Sequence, residues 1–232
     1  MKGVMTLCML LMSLTALAGT FRDDFNDGDF QGWKETWMKQ NQTIWKVESG
    51  VLIGDNPSNW SAFLVIGDVG WQDYEVECDA RIIAIKNSIP SFGIGMRHNG
   101  QNGAASQTVA LALVASANFL GPAGAYAVYL ADNDVFPRKI KAMPVELNRW
   151  YHLKAKVQGD LYELEVDGEK LISIHDKTLK SGMVGLEAHA GVNQYDNVII
   201  TGPDVPDFNP GYTPVEPASK LTSVWARLKR SH

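Results

Sequence analysis

The stretch that decides the fold is YHLKAKVQGDLYELEVDG, residues 151–168. Apolar and polar residues alternate along both halves of this stretch, which is the two-residue period of a β-strand with one buried face. Gly159-Asp160 separates the two halves, and Asp167-Gly168 follows the second half. Pairs of this kind suit the two-residue turns of hairpins, in which φ is positive. The stretch therefore predicts consecutive antiparallel strands.

The same hairpin is predicted to carry cross-strand charge pairs. Lys154 and Lys156 lie on the polar side of its first strand, and Glu163 and Glu165 lie on the polar side of its second strand. Opposite charges that face each other across two strands contribute about 0.2–1 kcal/mol per pair. We therefore expect these four side chains to meet on the solvent face.

The period of two recurs along most of the chain. Alternating or short apolar runs, bounded by turn residues, occur at 43–47, 51–53, 62–66, 73–85, 92–97, 126–131, 183–188 and 197–201. Residues 106–117 suit a strand by alternation and a helix by alanine content. Together the runs predict about twelve to fourteen short strands, which implies an all-β, two-sheet antiparallel sandwich. We assign this sandwich to residues 19–201.

Composition and charge exclude several other classes of protein. The 232 residues are 45% hydrophobic and 20% charged, as in an ordinary folded domain, so disorder, collagen-like repeats and coiled coil are excluded. Lys and Arg number 21 against 26 Asp and Glu, which gives a net charge of −5. The charge balance therefore gives no support for a nucleic-acid partner.

The N-terminus has the pattern of a secretory signal peptide. Lys2 precedes an apolar stretch at residues 3–17, and Ala16-Leu17-Ala18 is a small-x-small cleavage site. A membrane anchor is the alternative, but the apolar stretch is shorter than the ~20 residues that span a bilayer. We therefore predict that residues 1–18 are a signal peptide, that the protein is secreted, and that no later segment crosses a membrane.

Cysteine usage agrees with a secreted domain that needs no disulfide. Cys8 belongs to the predicted signal peptide, which leaves Cys78 as the single thiol of the mature chain. Cys78 falls on the apolar side of the predicted strand at 73–85, so it is expected to be a small core residue.

The C-terminal part is predicted to lie outside the sandwich. Residues 202–217 are rich in proline and predict an extended linker. Residues 218–232 predict a short amphipathic helix, because apolar side chains recur at helical spacing, namely Leu221, Val224, Trp225 and Leu228. Such a helix needs packing to be stable, and it either docks on the sandwich or contacts a protein partner or a membrane surface.

No catalytic residue is assigned from the sequence. Glu165 and Glu169 have the spacing of the paired carboxylates of family 16 glycoside hydrolases, but the predicted turn at Asp167-Gly168 places them on different strands. A solvated hairpin tip is therefore the favoured interpretation. The sequence also contains no zinc motif, no Gly-x-Ser-x-Gly and no Gly-x-Gly-x-x-Gly preceding a helix.

One open patch of sheet is the candidate ligand site. Gly93, Gly95 and Arg97 alternate with an apolar series and so share the opposite side of their strand. Tyr129 and its small neighbour Ala127 share the corresponding side of another strand. Small residues leave room for a sugar ring, while Arg97 and Tyr129 supply hydrogen bonds and stacking. The alternative is close sheet packing, with Arg97 in a structural ion pair.

A structural calcium ion is a further candidate. Asp24 lies in an acidic segment near the start of the mature chain, and Asp196 lies near the end of the predicted sandwich. If the two terminal strands pair, these carboxylates could bridge one calcium ion, which prefers oxygen ligands.

Several segments, in this order, resemble secreted concanavalin A-like lectin/glucanase domains, a superfamily that includes LamG-like jelly rolls. The segments that carry the resemblance are 23–33, 45–52, 148–154, 166–168, 185–186 and 195–198. The resemblance implies a jelly roll of two curved sheets, sugar ligands on the concave face and a structural calcium ion.

Within that superfamily the chain also resembles the 3-keto-disaccharide hydrolase domain family. The resemblance rests on Gly95-Met96-Arg97 and on residues 126–133, which read YAVYLADN. Ala127 occupies the position where that family is expected to carry a carboxylate, and this departure speaks against hydrolysis. The leading hypothesis is thus a non-catalytic, carbohydrate-binding jelly roll whose partner is a poly- or oligosaccharide. A glycoside-active hydrolase of the keto-disaccharide or family 16 type, and a structural or adhesion module, are the alternatives.

Overall fold

The computed structural model describes residues 18–209, which form fifteen strands and a short 3₁₀ helix, Gly103–Ala105. The first seven strands are β1 (Gly19–Asp23), β2 (Lys34–Trp37), β3 (Ile44–Glu48), β4 (Val51–Asn56), β5 (Ala62–Ile66), β6 (Tyr74–Ile85) and β7 (Ser91–His98). The others are β8 (Thr108–Val114), β9 (Gly124–Ala131), β10 (Asp134–Ala142), β11 (Tyr151–Gln158), β12 (Leu161–Val166), β13 (Glu169–His175), β14 (Met183–His189) and β15 (Gly191–Gly202). In this part of the chain no helix is long and apolar enough to cross a membrane.

The strands form two antiparallel sheets, as the alternation predicts. The first sheet has the order β13-β12-β11-β6-β15-β4-β3, and β1 pairs with the end of β15. The second sheet has the order β10-β9-β8-β7-β14-β5-β2. Residues 106–117, which suited either a strand or a helix, contain strand β8, which lies between β9 and β7 in the second sheet. The all-β sandwich is therefore confirmed.

The core lies between the sheets and follows the predicted alternation of β6 and β7. The inward side chains of β6 are fully or almost fully buried, namely Tyr74, Val76, Cys78, Ala80 and Ile82. Those of β7 are Phe92, Ile94 and Met96, and β8 adds Val109, Leu111 and Leu113. Cys78 is a core residue, as predicted, and burial raises the pKa of its thiol.

The hairpin of β11 and β12 has the predicted register but different ion pairs. Lys154 lies opposite Glu165, yet its ammonium contacts Glu75 at 2.6 Å and Glu77 at 2.9 Å on β6. Glu163 instead accepts a bond of 2.8 Å from Lys170. The predicted pairs are wrong because β11 also neighbours β6, whose outer face offers two carboxylates to the same ammonium.

The folded part continues past the predicted boundary at residue 201. Val205 is buried in the core. Phe208 exchanges two backbone hydrogen bonds with β1, one from the N–H of Arg22 and one to the carbonyl of Thr20. The predicted signal peptide up to residue 17, the linker from residue 210 and the C-terminal helix all lie outside the described residues.

Candidate functional site

A cavity of about 250 Å³ opens on the outer face of the second sheet. One row of cross-strand neighbours runs past the cavity. Glu187 on β14 is paired with Gly93, Gly93 with Ala112, and Ala112 with Tyr126. Gly93 has no side chain and Ala112 has one methyl group, so the centre of the row is low. Ala112, Tyr126 and Glu187 of this row line the cavity.

Glu187 is a buried carboxyl group in this cavity. Its side chain accepts a hydrogen bond of 2.6 Å from Ser61 Oγ to Oε1, while Oε2 is buried and has no partner. Burial raises the pKa of Glu187 from its ordinary 4.5 to about 7, and the side chains of Ser61 and Ser91 oppose part of this rise. Near neutral pH the group can therefore both accept and release a proton.

His189 lies two residues farther along β14, on the same face. Its Nδ1 is 3.2 Å from Ser91 Oγ and 3.4 Å from Ser61 Oγ, and its buried Nε2 has no partner. Burial lowers the pKa of His189 to about 4, so the imidazole is neutral at pH 7. A neutral imidazole with one free nitrogen can bind a hydroxyl group of a ligand.

Two side chains of the first sheet reach across the core and hold the backbone below the site. The hydroxyl group of Tyr195 donates a hydrogen bond to the carbonyl of Glu187 and accepts one of 2.9 Å from the N–H of Gly93. Asn193 Nδ2 donates to the carbonyl of Ser91 at 2.8 Å. These bonds fix the spacing of β14 and β7 where Glu187 and Gly93 meet.

The walls of the cavity are mainly apolar. Side chains of β9, of the loop before β5 and of the loop between β8 and β9 form them, among them Trp60, Phe119, Leu120, Tyr126 and Leu130. The other carboxyl group on the lining is Asp134, which is exposed at the edge. An apolar cavity with a few converging polar groups is the usual form of a small-molecule site.

Comparison with known proteins places this domain in a family. The model of the family described as 3-keto-alpha-glucoside-1,2-lyase-like domain matches residues 20–201. The chain belongs to this family. The matched residues span β1 to β15 and so include every strand that lines the cavity.

Solved structures with the same fold support the jelly-roll architecture. A carbohydrate binding module, CBM66 from Bacillus subtilis, is 15% identical with a TM-score of 0.54, over 74% of this chain and 96% of that one. A β-glucanase from Bacillus licheniformis is 12% identical with a TM-score of 0.53, over 79% and 97%. A putative glycosyl hydrolase from Parabacteroides distasonis is 17% identical with a TM-score of 0.52, over 78% and 92%.

A curated relative matches over a short stretch. The levanase of Bacillus subtilis (strain 168) is 31% identical over 55 residues, which are 24% of this chain and 8% of the levanase. The match therefore covers a small part of either protein.

Of the four predicted ligand residues, Gly93 and Gly95 lie on the outer face that carries the cavity. A Cβ atom at Gly93 would lie 2.5 Å from the Cα of Ala112, and one at Gly95 would lie 3.0 Å from the ring of Phe63. The small size of Gly93 is thus required beside Glu187. Gly95 lies one row farther along the strand, under Phe63.

The structure does not bring Arg97 to this face. Arg97 has a φ of 53° and lies in a bulge, where β7 has an extra residue relative to β14. The residue is 2% exposed, and its side chain donates to the carbonyls of Gln72, Gly159 and Leu179 at 2.7–3.1 Å. The contact with Asp73 is 3.4 Å, which agrees with the structural alternative. A ligand role for Arg97 stays a prediction.

Tyr129 does not face the cavity either, because its side chain lies on the side of β9 that faces the core. In β9 the small residue Ala127 belongs to the core between the sheets, whereas Tyr126 and Val128 belong to a separate apolar cluster on the outer face. Tyr129 shares the inward side, where it packs against the core and contacts Phe136 with ring centroids 5.9 Å apart. The predicted faces of β9 are therefore wrong. A carboxylate at position 127 would therefore face the core, whereas Glu187 on β14 lines the cavity.

The calcium hypothesis required the two terminal strands to pair, and this condition is met. β1 and the end of β15 do pair, with Asp23 opposite Val198. Asp24 is buried and accepts a bond of 3.2 Å from the N–H of Asn26. Within residues 18–209 no three His, Cys, Asp or Glu side chains are grouped so that they could hold a metal ion. A calcium ion between Asp24 and Asp196 stays a prediction.

The sequence contained a signal for the site that the sequence analysis missed. In 184–189, VGLEAH, the residues Val184, Leu186 and Ala188 are core residues, and Gly185, Glu187 and His189 share the other side. A glutamate and a histidine two residues apart on an otherwise apolar strand are a stronger candidate pair than Glu165 and Glu169. Those two carboxylates flank the tight turn at Asp167-Gly168, as predicted.

Proposed function

We propose that the domain is carbohydrate-active and cleaves a 3-keto-α-glucoside by elimination, with Glu187 as the general base. The observation that carries the proposal is that Glu187, which lines the cavity, is a buried carboxyl group with a pKa of about 7 whose Oε2 has no hydrogen-bond partner. Perturbed carboxyl groups of this kind concentrate at catalytic sites. The name of the family, a 3-keto-α-glucoside-1,2-lyase-like domain, supplies the substrate class.

The chemistry of elimination needs one base rather than two carboxylates. A carbonyl at C3 acidifies the hydrogen at C2. The carboxylate of Glu187 takes that proton, the C2–H electron pair becomes the C1=C2 double bond, and the C1–O bond breaks with its electron pair on the leaving oxygen. The proton held by Glu187 can then pass to that oxygen, which gives an enone and an alcohol. Hydrolysis by a glycosidase would instead use two carboxyl groups at the scissile bond, and Glu187 is the one buried acid on the lining.

His189 and Ser91 are assigned to binding. His189 lines the cavity and its buried Nε2 has no partner, so the neutral imidazole can accept from or donate to a sugar hydroxyl group according to its tautomer. Ser91 holds the ring from its Nδ1 side. The apolar walls suit the C–H faces of a pyranose ring.

Product analysis with the mature protein tests the reaction. Methyl 3-keto-α-D-glucopyranoside should yield methanol and an enone that absorbs in the ultraviolet. Methyl α-D-glucopyranoside, which lacks the activating carbonyl, should remain intact. Release of a saturated keto sugar with the incorporation of water would identify a hydrolase instead.

A non-catalytic saccharide-binding domain is the second candidate. It is favoured by the mainly apolar lining of the cavity and by the fold that the chain shares with a carbohydrate binding module. Saturable binding of the keto sugar by the wild-type protein, with no product after prolonged incubation, would support this candidate over the lyase.

We also propose that the protein is exported and cleaved after Ala18. In support, strand β1 of the sandwich begins at Gly19, directly after the proposed cleavage site. N-terminal sequencing of the protein recovered from outside the cytoplasm should start at Gly19. Recovery of the uncleaved chain in the cytoplasm would contradict export.

A further inference from the structure

The mouth of the cavity carries an aromatic side chain that the protein itself leaves uncovered. Phe119 lines the cavity and is 82% exposed, the highest value among the large apolar residues of the described chain. Exposing a phenylalanine ring to this extent forgoes most of the ~1.5–3 kcal/mol that its burial would contribute. A lone exposed apolar residue needs no explanation on a plain surface, but Phe119 is located at the entrance to a site.

The loop holds Phe119 in this position by a closed turn. The backbone groups of Asn118 and Gly121 form two hydrogen bonds with each other, of 2.9 and 3.1 Å. Asn118 Oδ1 also accepts a bond of 2.8 Å from the N–H of Leu120. Gly121 adopts a φ of +155°, and a Cβ atom there would lie 3.2 Å from the hydroxyl group of Tyr126. The turn is thus built to present residues 119 and 120, of which Leu120 is partly buried among the outer apolar cluster.

The cavity is small for a disaccharide. Its volume of about 250 Å³ lies below the ~300–1,000 Å³ of pockets that enclose drug-sized ligands. It suits one pyranose ring, and the polar groups that would act on that ring, Glu187 and His189, are buried on the floor. A second ring linked to the first must therefore lie outside the cavity, where Phe119 is exposed.

From these observations we infer that Phe119 is an aglycone platform, on which the second ring of a two-ring α-glucoside stacks while the keto-sugar ring occupies the cavity. This inference rests on the proposed function and deepens it, because it assigns to Phe119 the contact with the group that is bonded through the scissile oxygen. Aromatic rings stack on flat apolar faces with a gain beyond the buried area. Phe119 acts on the aglycone alone and takes no part in the proton transfer.

Binding to the Glu187→Gln protein tests the platform with turnover suppressed. The probes are 3-keto-trehalose, whose aglycone is a glucose ring, and methyl 3-keto-α-D-glucopyranoside, and the measurement is calorimetric Kd. We expect the disaccharide to bind about tenfold more tightly than the methyl glycoside. Adding Phe119→Ala should bring the ratio of the two Kd values close to one.

Phe136→Ala is the matched control. Phe136 is 39% exposed on the neighbouring strand β10 and contacts Tyr129, and it does not line the cavity. This substitution should leave the Kd ratio at the parent value.

The outcomes separate this inference from the proposed function. If wild-type protein yields no product but the Kd ratio falls with Phe119→Ala, the lyase proposal fails and the platform stands. If the ratio is the same with and without Phe119, the platform is wrong whatever the turnover. If neither probe binds, both are wrong.

Discussion

Ser61 and Glu187 are joined by a hydrogen bond of 2.6 Å between Ser61 Oγ and Glu187 Oε1. Ser61 directly precedes β5, and Glu187 lies on the neighbouring strand β14 of the second sheet. Both side chains are buried, and the bond leaves Oε2 as the free oxygen of the carboxyl group. The hydroxyl group therefore has two effects: it orients the carboxyl group, and it limits how far burial raises the pKa of Glu187.

Removing the Ser61 hydroxyl group should shift the pH dependence of the reaction. A base must be ionised, so kcat/KM for methyl 3-keto-α-glucoside should rise with pH through the pKa of Glu187 near 7. Ser61→Ala removes a hydrogen bond that favours the carboxylate, so the pKa should increase. Since a hydrogen bond to a charged group contributes ~1.5–3 kcal/mol, a move of about one pH unit or more is expected.

The matched control for this prediction is Ser173→Ala on the first sheet, where the hydroxyl group contacts Glu163 and not the cavity. Its pH profile should coincide with that of the wild-type protein. An unchanged profile in Ser61→Ala would show that the titrating base is a group other than Glu187.

Glu187 should also make the stability of the protein depend on pH. Its pKa is higher in the folded protein, at about 7, than its ordinary value of 4.5. Its contribution to stability is therefore fully present below about pH 4.5 and is lost as the pH rises to about 7. Glutamine does not titrate, so Glu187→Gln should gain stability relative to wild type across this window, by on the order of 3 kcal/mol.

Urea unfolding of both proteins at pH 5 and pH 8 checks this difference. His189, with its pKa lowered to about 4, acts in the opposite direction, because its contribution is present above its ordinary 6.5 and is lost as the pH falls toward 4. That contribution is common to both proteins and cancels in the comparison. A difference in unfolding free energy that is equal at the two pH values would contradict a buried, titrating Glu187.

Arg97→Ala should destabilise the fold rather than the ligand complex. The guanidinium group is buried and donates to the carbonyls of Gln72, Gly159 and Leu179. Its removal leaves these carbonyls without their donor, so we expect the unfolding free energy to fall by about 3–5 kcal/mol. Chemical denaturation measures this loss. A variant of wild-type stability that no longer binds sugar would instead support Arg97 as a ligand residue.

The calcium hypothesis makes a separate prediction about thermal stability. If an ion joins the terminal strands through Asp24 and Asp196, a chelator should lower the Tm of the wild-type protein and have no effect on Asp24→Asn. Equal melting of the wild-type protein with chelator and with added calcium, in a preparation without copurifying metal, would contradict the hypothesis.

The sequence was sufficient to predict the strands. It was not sufficient to predict which side of each strand in the second sheet faces the core. Alternation identifies the buried side of β6 and β11, because their other side is charged. In β9 both sides are apolar, since Tyr126 and Val128 pack in the outer cluster while Ala125 and Ala127 fill the core. A period of two cannot decide which of two apolar sides faces the other sheet.

Local backbone geometry explains the error at Arg97. The prediction placed it on the side of Gly93 and Gly95 by counting in steps of two, and this count holds only in a regular strand. The bulge with positive φ at Arg97 interrupts the alternation and sends the side chain to the edge between the sheets, where it meets Tyr162 on β12. Nothing in a single sequence marks this position, since arginine has no preference for positive φ.

The most direct test of the account is the rate of enone formation from methyl 3-keto-α-D-glucopyranoside by wild-type protein, Glu187→Gln and Glu165→Gln at pH 7.5. The two variants remove one carboxylate each, Glu187 from the cavity and Glu165 from the end of β12 in the first sheet. We predict that Glu187→Gln loses roughly 100-fold or more in kcat, while Glu165→Gln keeps the wild-type rate. A Glu187→Gln protein that is folded and as fast as wild type would contradict the assignment of Glu187 as the base.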